Sequence, residues 1–103
     1  MVEEIGNHGE FEKFVEKGIS VIDFFAEWCM PCVMMAPVFE EMGEKFSKLK
    51  FAKVNIEDNK ELAEKFKVMS IPCLIIFKNG KEVQRIVGAV GEEVLEAKIK
   101  AVK

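Results

Sequence analysis

The 103-residue sequence predicts an α/β domain: a mixed central β-sheet of four to five strands flanked by helices on both faces. Three observations carry that expectation. Short apolar runs alternate along the chain with apolar residues at helical spacing, one pair of runs is joined by Asn79-Gly80, and no repeat, linker or low-complexity tract interrupts them. Residues 1–103 therefore read as one domain.

The elements follow in order. Val2 to Ile5 adds a short edge strand. Glu10 to Lys17 carries Phe11, Phe14 and Val15 on one helical face and stops at Gly18. Ile19 to Ala26 and Phe51 to Ile56 are short apolar strands. Between them Met35, Val38, Phe39, Met42 and Phe46 recur at helical spacing and form core, with Pro37 expected to kink the helix. Asn59 to Phe66 presents Leu62, Ala63 and Phe66 as a short helix. Cys73 to Phe77 and Glu82 to Val87 are two strands around the Asn79-Gly80 turn, a strong two-residue hairpin signal. A last helix begins near Gly91, with Glu92 and Glu93 in its first turn and Lys98, Lys100 and Lys103 toward its end, complementing the helix dipole. The resulting order is β-α-β-α-β-α-β-β-α, with right-handed crossovers between parallel strands.

Composition excludes several classes of function. Fifteen Lys and Arg against 18 Asp and Glu leave a net charge of -3, so no basic footprint exists for nucleic acid or anionic lipid. No run approaches the roughly 20 apolar residues that a membrane span needs. The beginning of the sequence has no apolar signal region, and three cysteines cannot all pair within one chain; both lead to the expectation of a reducing, cytoplasmic setting. With no Gly-x-Gly-x-x-Gly fingerprint, neither nicotinamide nor flavin is expected to bind.

Chemistry concentrates at Trp28-Cys29-Met30-Pro31-Cys32, where the strand ending at Ala26 passes into a helix. In open α/β sheets, sites gather at the carboxyl ends of strands. Pro31 suits a first helical turn, so Cys29 faces a helix amino terminus. There the unpaired N–H groups and the dipole favour an anion by about 0.3 to 2 kcal/mol, which makes a thiolate available nearer neutral pH. Cys32 lies one turn on, on the same helical face. Cys29 can attack a substrate disulfide and Cys32 can resolve the mixed disulfide.

Two structural alternatives weigh against this reading. As a staple, the pair closes a loop too short to be efficient, worth about 2 kcal/mol against about 4 for a loop of ~45 residues. As half of a zinc site it lacks a second cysteine pair, and His8 is the single histidine. Asp23, set within the apolar run Val21-Ile22-Asp23-Phe24-Phe25, demands justification, because an unpaired buried carboxylate costs several kcal/mol. It is either a satisfied structural carboxylate or a buried acid/base of raised pKa that takes the proton from Cys32.

Beyond this pair, the chain resembles the thioredoxin family. The resemblance rests on Asp23-Phe24-Phe25-Ala26-Glu27-Trp28-Cys29-Met30-Pro31-Cys32, Ala36-Pro37, Lys53-Val54-Asn55, Ser70-Ile71-Pro72, Phe77-Lys78-Asn79-Gly80 and Gly88, in the family's order and spacing. It implies the thioredoxin fold, Cys29 as nucleophile, Cys32 as the buried resolving thiol, and Pro72 as a cis-proline packed against the pair. It also pairs Lys53 with Asp23 and makes Trp28, Met30, Ile71, Gly88 and Ala89 a substrate-binding rim, with Ile71 offering backbone hydrogen bonds.

The implied activity is that of a disulfide reductase, serving electron transport and cell redox homeostasis. Such a chain acts on disulfide-containing proteins, is re-reduced by a thioredoxin reductase, works as a monomer, and binds no cofactor or metal beyond its own redox-active Cys29–Cys32 disulfide. Four residues depart from the family's usual pattern: Met30 for Gly, Val33 for Lys, Phe25 for Trp and Cys73 for Thr. These bear on redox potential and partner choice. Cys73 reads as a small buried hydrophobe or, alternatively, as a third thiol near Cys29. Two rival functions stand beside the reductase: a disulfide oxidase or isomerase, and a peptide-binding module whose dithiol is idle.

Overall fold

A computed structural model describes residues 2–103 of the chain. Its elements are β1 (Val2–Glu4), α1 (His8–Val15), β2 (Ile19–Phe25), α2 (Met30–Lys45), β3 (Lys50–Asn55), α3 (Lys60–Lys65), β4 (Cys73–Lys78), β5 (Lys81–Val87) and α4 (Glu92–Val102). The five strands form one mixed sheet in the order β1-β3-β2-β4-β5. β3 pairs in parallel with both β1 and β2, while β4 runs antiparallel to β2 and β5.

Element order and type match the sequence expectation, and boundaries move by a residue or two for identifiable reasons. α1 begins earlier than the apolar spacing suggests because Asn7 caps it: its Oδ1 accepts from the Glu10 backbone N–H at 2.9 Å, and its Nδ2 donates to Glu10 Oε1. The hairpin forms as expected, with Asn79 at φ 51° and Gly80 at φ 85°, the left-handed values that a two-residue turn of this kind requires. Asn79 and Gly18 then bond reciprocally, Asn79 N–H to the Gly18 carbonyl and Gly18 N–H to Asn79 Oδ1, which fixes the turn beside the start of β2. α2 continues as one helix through Pro37 to Lys45.

Strand alternation divides the interior into two cores. On one face Ile22 and Phe24 of β2, Ala52 and Val54 of β3, and Cys73, Ile75 and Phe77 of β4 pack under Phe11 and Val15 of α1 and Leu62 of α3. Phe11 sits edge-on to Phe77 with ring centroids 5.4 Å apart. On the other face Val21, Phe51, Leu74 and Ile76 meet Met35, Phe39 and Met42 of α2 and Leu95 and Ile99 of α4. The outer strands carry charge: β1 exposes Glu3 and Glu4, and β5 exposes Lys81 and Glu82 together with Val83 and Val87. Arg85 pairs with Glu82 at 2.8 Å and donates through Nη2 to the Phe66 carbonyl at 2.7 Å, tying β5 to the end of α3.

Candidate functional site

The site grows from the junction of β2 and α2. Beyond β2 the chain turns through Ala26, Glu27 and Trp28, and Cys29 takes the N-cap position of α2, with Met30 and Pro31 opening the helix. The Cys29 backbone accepts from the Val33 N–H at 3.0 Å, and Cys29 Sγ accepts from the Cys32 N–H at 3.2 Å. An N-cap normally uses oxygen for this purpose; here sulfur receives a helix-terminal donor. Cys29 and Cys32 are joined as a disulfide with their Cα atoms 5.2 Å apart. The residues are 5 % and 4 % exposed, so overall accessibility does not rank one above the other. Their surroundings do, because the hydrogen bond reaches Cys29 Sγ whereas Cys32 lines the cavity described below.

A second segment closes over the pair. The Ile71–Pro72 peptide is cis, and the Ile71 carbonyl oxygen lies 3.8 Å from Cys29 Sγ. The Pro72 carbonyl accepts from the Gly88 N–H at 2.8 Å, and Gly88 has φ 94°, a left-handed value that favours glycine. Trp28 and Met30 are strongly exposed, Ile71 is half-buried, and Ala89 is exposed beyond Gly88. Core packing is thereby excluded for Trp28. Its indole Nε1 donates to Glu57 Oε2 at 2.8 Å instead.

Beneath the disulfide is a cavity of about 310 Å³, lined by Cys32, Asp23, Glu27, Lys53, Phe25 and Ala36 among others. Asp23 is buried, and its Oδ1 has no hydrogen-bond partner among the described residues. Burial pushes its carboxyl up from 3.8 to about 7, opposed by the positive charge of Lys53. Asp23 and Lys53 are register partners on the parallel strands β2 and β3. No ion pair joins them among the described residues; the Lys53 ammonium lies 5.4 Å from the centroid of the Phe25 ring.

Cys73 belongs elsewhere. It is a free thiol in the core under α1 and α3, on the sheet face opposite Asp23, and burial pushes its pKa up while the Arg85 charge opposes the rise. The small buried hydrophobe is the reading that fits. The described residues contain no group of three or more potential metal-ligating side chains. Sequence reasoning gave no role to Glu57 or Glu27, and noted Phe25 only as a departure from the family's usual Trp. Glu57 and Glu27 follow the carboxyl ends of β3 and β2, where sites gather, and that position is the signal that singles them out.

A strand-to-helix cysteine pair, bonded yet set beside a buried titratable carboxyl, defines the class of thiol–disulfide exchange proteins. A sequence model described as Thioredoxin matches residues 3–101. A thioredoxin of Chlamydia caviae is 51 % identical over 78 residues, covering 76 % of this chain and 76 % of that one. Thioredoxin-2 of Saccharomyces cerevisiae is 41 % identical over 91 residues, covering 86 % and 88 %. The crystal structure of Fasciola hepatica thioredoxin superposes with a TM-score of 0.92 at 36 % identity, covering 98 % of this chain and 99 % of that one. The chain belongs to the thioredoxin family and has its fold. It is a thiol–disulfide oxidoreductase, a disulfide reductase whose redox-active group is a disulfide of the protein itself.

Proposed function

We propose that residues 1–103 act as one domain that reduces disulfides in target proteins, with Cys29 attacking and Cys32 resolving. The Cys29 thiolate attacks one sulfur of the target disulfide; that bond breaks, one target thiol leaves, and a mixed disulfide forms. Cys32 then gives its proton to Asp23 and attacks Cys29 Sγ, which releases the second target thiol and leaves the Cys29–Cys32 disulfide. Two electrons pass to the target. The observation that carries this division of labour is the hydrogen bond from the Cys32 N–H to Cys29 Sγ at 3.2 Å, a contact that stabilises negative charge on that sulfur. Support for Asp23 comes from the cavity it shares with Cys32, large and polar enough for a bridging water.

In this reading Lys53 tempers the Asp23 pKa from the neighbouring strand, and Pro72 shapes the wall beside Cys29. Trp28, Met30, Ile71, Gly88 and Ala89 form the rim on which an extended target segment docks. The oxidised chain is re-reduced by a thioredoxin reductase, and the protein works as a cytoplasmic monomer in electron transport. No helix among the described residues is long and apolar enough to cross a membrane, which is in keeping with that location.

The test follows the mixed disulfide by rapid mixing. A Cys32→Ser variant is expected to accumulate it on Cys29 with target proteins and with the reductase. Asp23→Ala is expected to slow its resolution more than its formation and to abolish a rise of the resolution rate with pH centred on about 7, the value at which the carboxyl becomes a base. An unchanged release rate removes Asp23 from the mechanism. Cys29 should also be alkylated near neutral pH faster than free cysteine; equal rates, or a strongly oxidising potential in glutathione buffers, would overturn the reductase assignment of roles.

A further inference from the structure

Among the described residues, three methionines are left in solvent by this fold. Met30, Met34 and Met69 are 64 %, 74 % and 91 % exposed, while Met35 and Met42 are buried under α2. Solvent exposure gives a thioether no packing role in the folded chain, yet the placement of the three is not scattered. Met30 adjoins Cys29 at the start of α2, and Met34 stands one helical turn further on the same face. Met69 lies two residues before Ile71, whose carbonyl oxygen is 3.8 Å from Cys29 Sγ. Together with exposed Trp28 and Val33, they make the approach to the disulfide apolar and rich in sulfur.

We propose that Met30, Met34 and Met69 form a sulfoxidation site for hydroperoxides, and that their oxidation weakens docking of protein targets without altering the thiol chemistry. This rests on the docking role given above to the rim around Cys29. In the step, a thioether sulfur lone pair attacks the terminal peroxide oxygen, the O–O bond breaks, and a sulfur–oxygen bond forms. Sulfur loses two electrons; the hydroperoxide gains them and leaves as an alcohol or water.

The other sulfurs do not compete in the oxidised chain. Cys29 and Cys32 are bonded to each other, and Cys73 is buried with its pKa raised, so it stays a sealed thiol and not a thiolate. The exposed thioethers are then the accessible reducing sulfurs among the described residues. A sulfoxide oxygen is a strong acceptor, and covering it with an apolar target segment costs free energy unless a donor meets it.

The experiment treats the Cys29–Cys32 disulfide form with hydrogen peroxide, maps the added oxygen by peptide mass spectrometry, then assays reduction of a protein disulfide and of a small aromatic disulfide. One oxygen is expected on each of Met30, Met34 and Met69, and none on Met35 or Met42. KM for the protein disulfide should rise roughly tenfold, about 1.4 kcal/mol, with kcat and the small-disulfide rate unchanged. A Met30→Leu/Met34→Leu/Met69→Leu variant, compared with its own untreated form, should show no change in KM. Oxidation spread equally over buried methionines, an unchanged KM after treatment, or the same rise in the triple variant would overturn the proposal. Protein active before treatment and equally active after it overturns this inference alone; protein inert before treatment overturns the target-reduction reading and this inference with it.

Discussion

The two faces of the sheet bury their side chains almost equally and put them to different ends. Under α1 and α3 every strand position in the cluster is apolar, and its fully buried large side chains are the rings of Phe11, Phe24 and Phe77 and the aliphatic Ile22, Ile75 and Leu62. Under α2 the same strand β2 brings Asp23 into line with Val21, and the carboxyl end of the strand opens on the cavity below Cys32. The contrast extends to sulfur. Cys73 is buried among hydrocarbon and has its thiol form favoured, whereas Cys29, also buried, receives a backbone N–H at a helix start. Depth in the protein does not decide what a thiol can do; the nearest donor does.

The contrast breaks most completely at Cys29. Cys29→Ser should abolish turnover of protein disulfides while leaving the cooperative unfolding transition in place, since the oxygen can still cap α2. Retained turnover would shift the chemistry to another residue. On the sealed face, Phe77→Ala empties a site in contact with Phe11 and Phe66 and should cost about 3 to 5 kcal/mol in urea unfolding.

Asp23→Ala should act in the opposite sense and only over part of the pH range. In the folded chain the carboxyl holds its proton up to about pH 7, but from the ordinary value of 3.8 upward the unfolded chain releases it. Folding stability therefore falls as pH rises from 3.8 to about 7 and is level above that. At about 1.36 kcal/mol per pH unit the penalty is bounded near 4 kcal/mol, and the cavity left by truncation offsets part of the gain. A net stabilisation of about 2 kcal/mol at alkaline pH, turning into a destabilisation of about 2 kcal/mol in acid where only the cavity cost remains, is the expected unfolding result. A pH-independent difference would mean that Asp23 titrates alike in both states. The smallest effect belongs to Asn7→Ala, which should cost about 1 kcal/mol by removing the cap of α1 and leave the rate of disulfide reduction unchanged.

Much of this arrangement was legible in the residues. The change from a strand run to helical spacing at Trp28-Cys29-Met30-Pro31-Cys32 locates the site, and Asn79-Gly80 locates the hairpin, because both signals are local. Asp23 announces itself as a charge inside an apolar run. The side of the sheet taken by Cys73 was not legible, since Cys73-Leu74-Ile75-Ile76-Phe77 is apolar throughout and carries no alternation from which to read a face. Nor was the seat of Lys53: register brings it beside Asp23, but the aromatic ring of Phe25 draws its ammonium aside. The bond between Trp28 and Glu57 spans 29 residues and depends on where β2 and β3 end in space, which no local pattern encodes. The near-equal exposure of the two cysteines was not legible either, because the burial of Cys29 comes in part from the distant segment around Ile71, whose carbonyl meets its sulfur.

The outermost strands have a consequence for life at high concentration. β1 spans three residues and presents Glu3 and Glu4, and β5 opens with Lys81 and Glu82, so each margin of the sheet carries charge that discourages another chain from pairing alongside it. Charge at the margins in this way disfavours growth of the sheet by edge pairing, even though Val83 and Val87 of β5 stay exposed beside it.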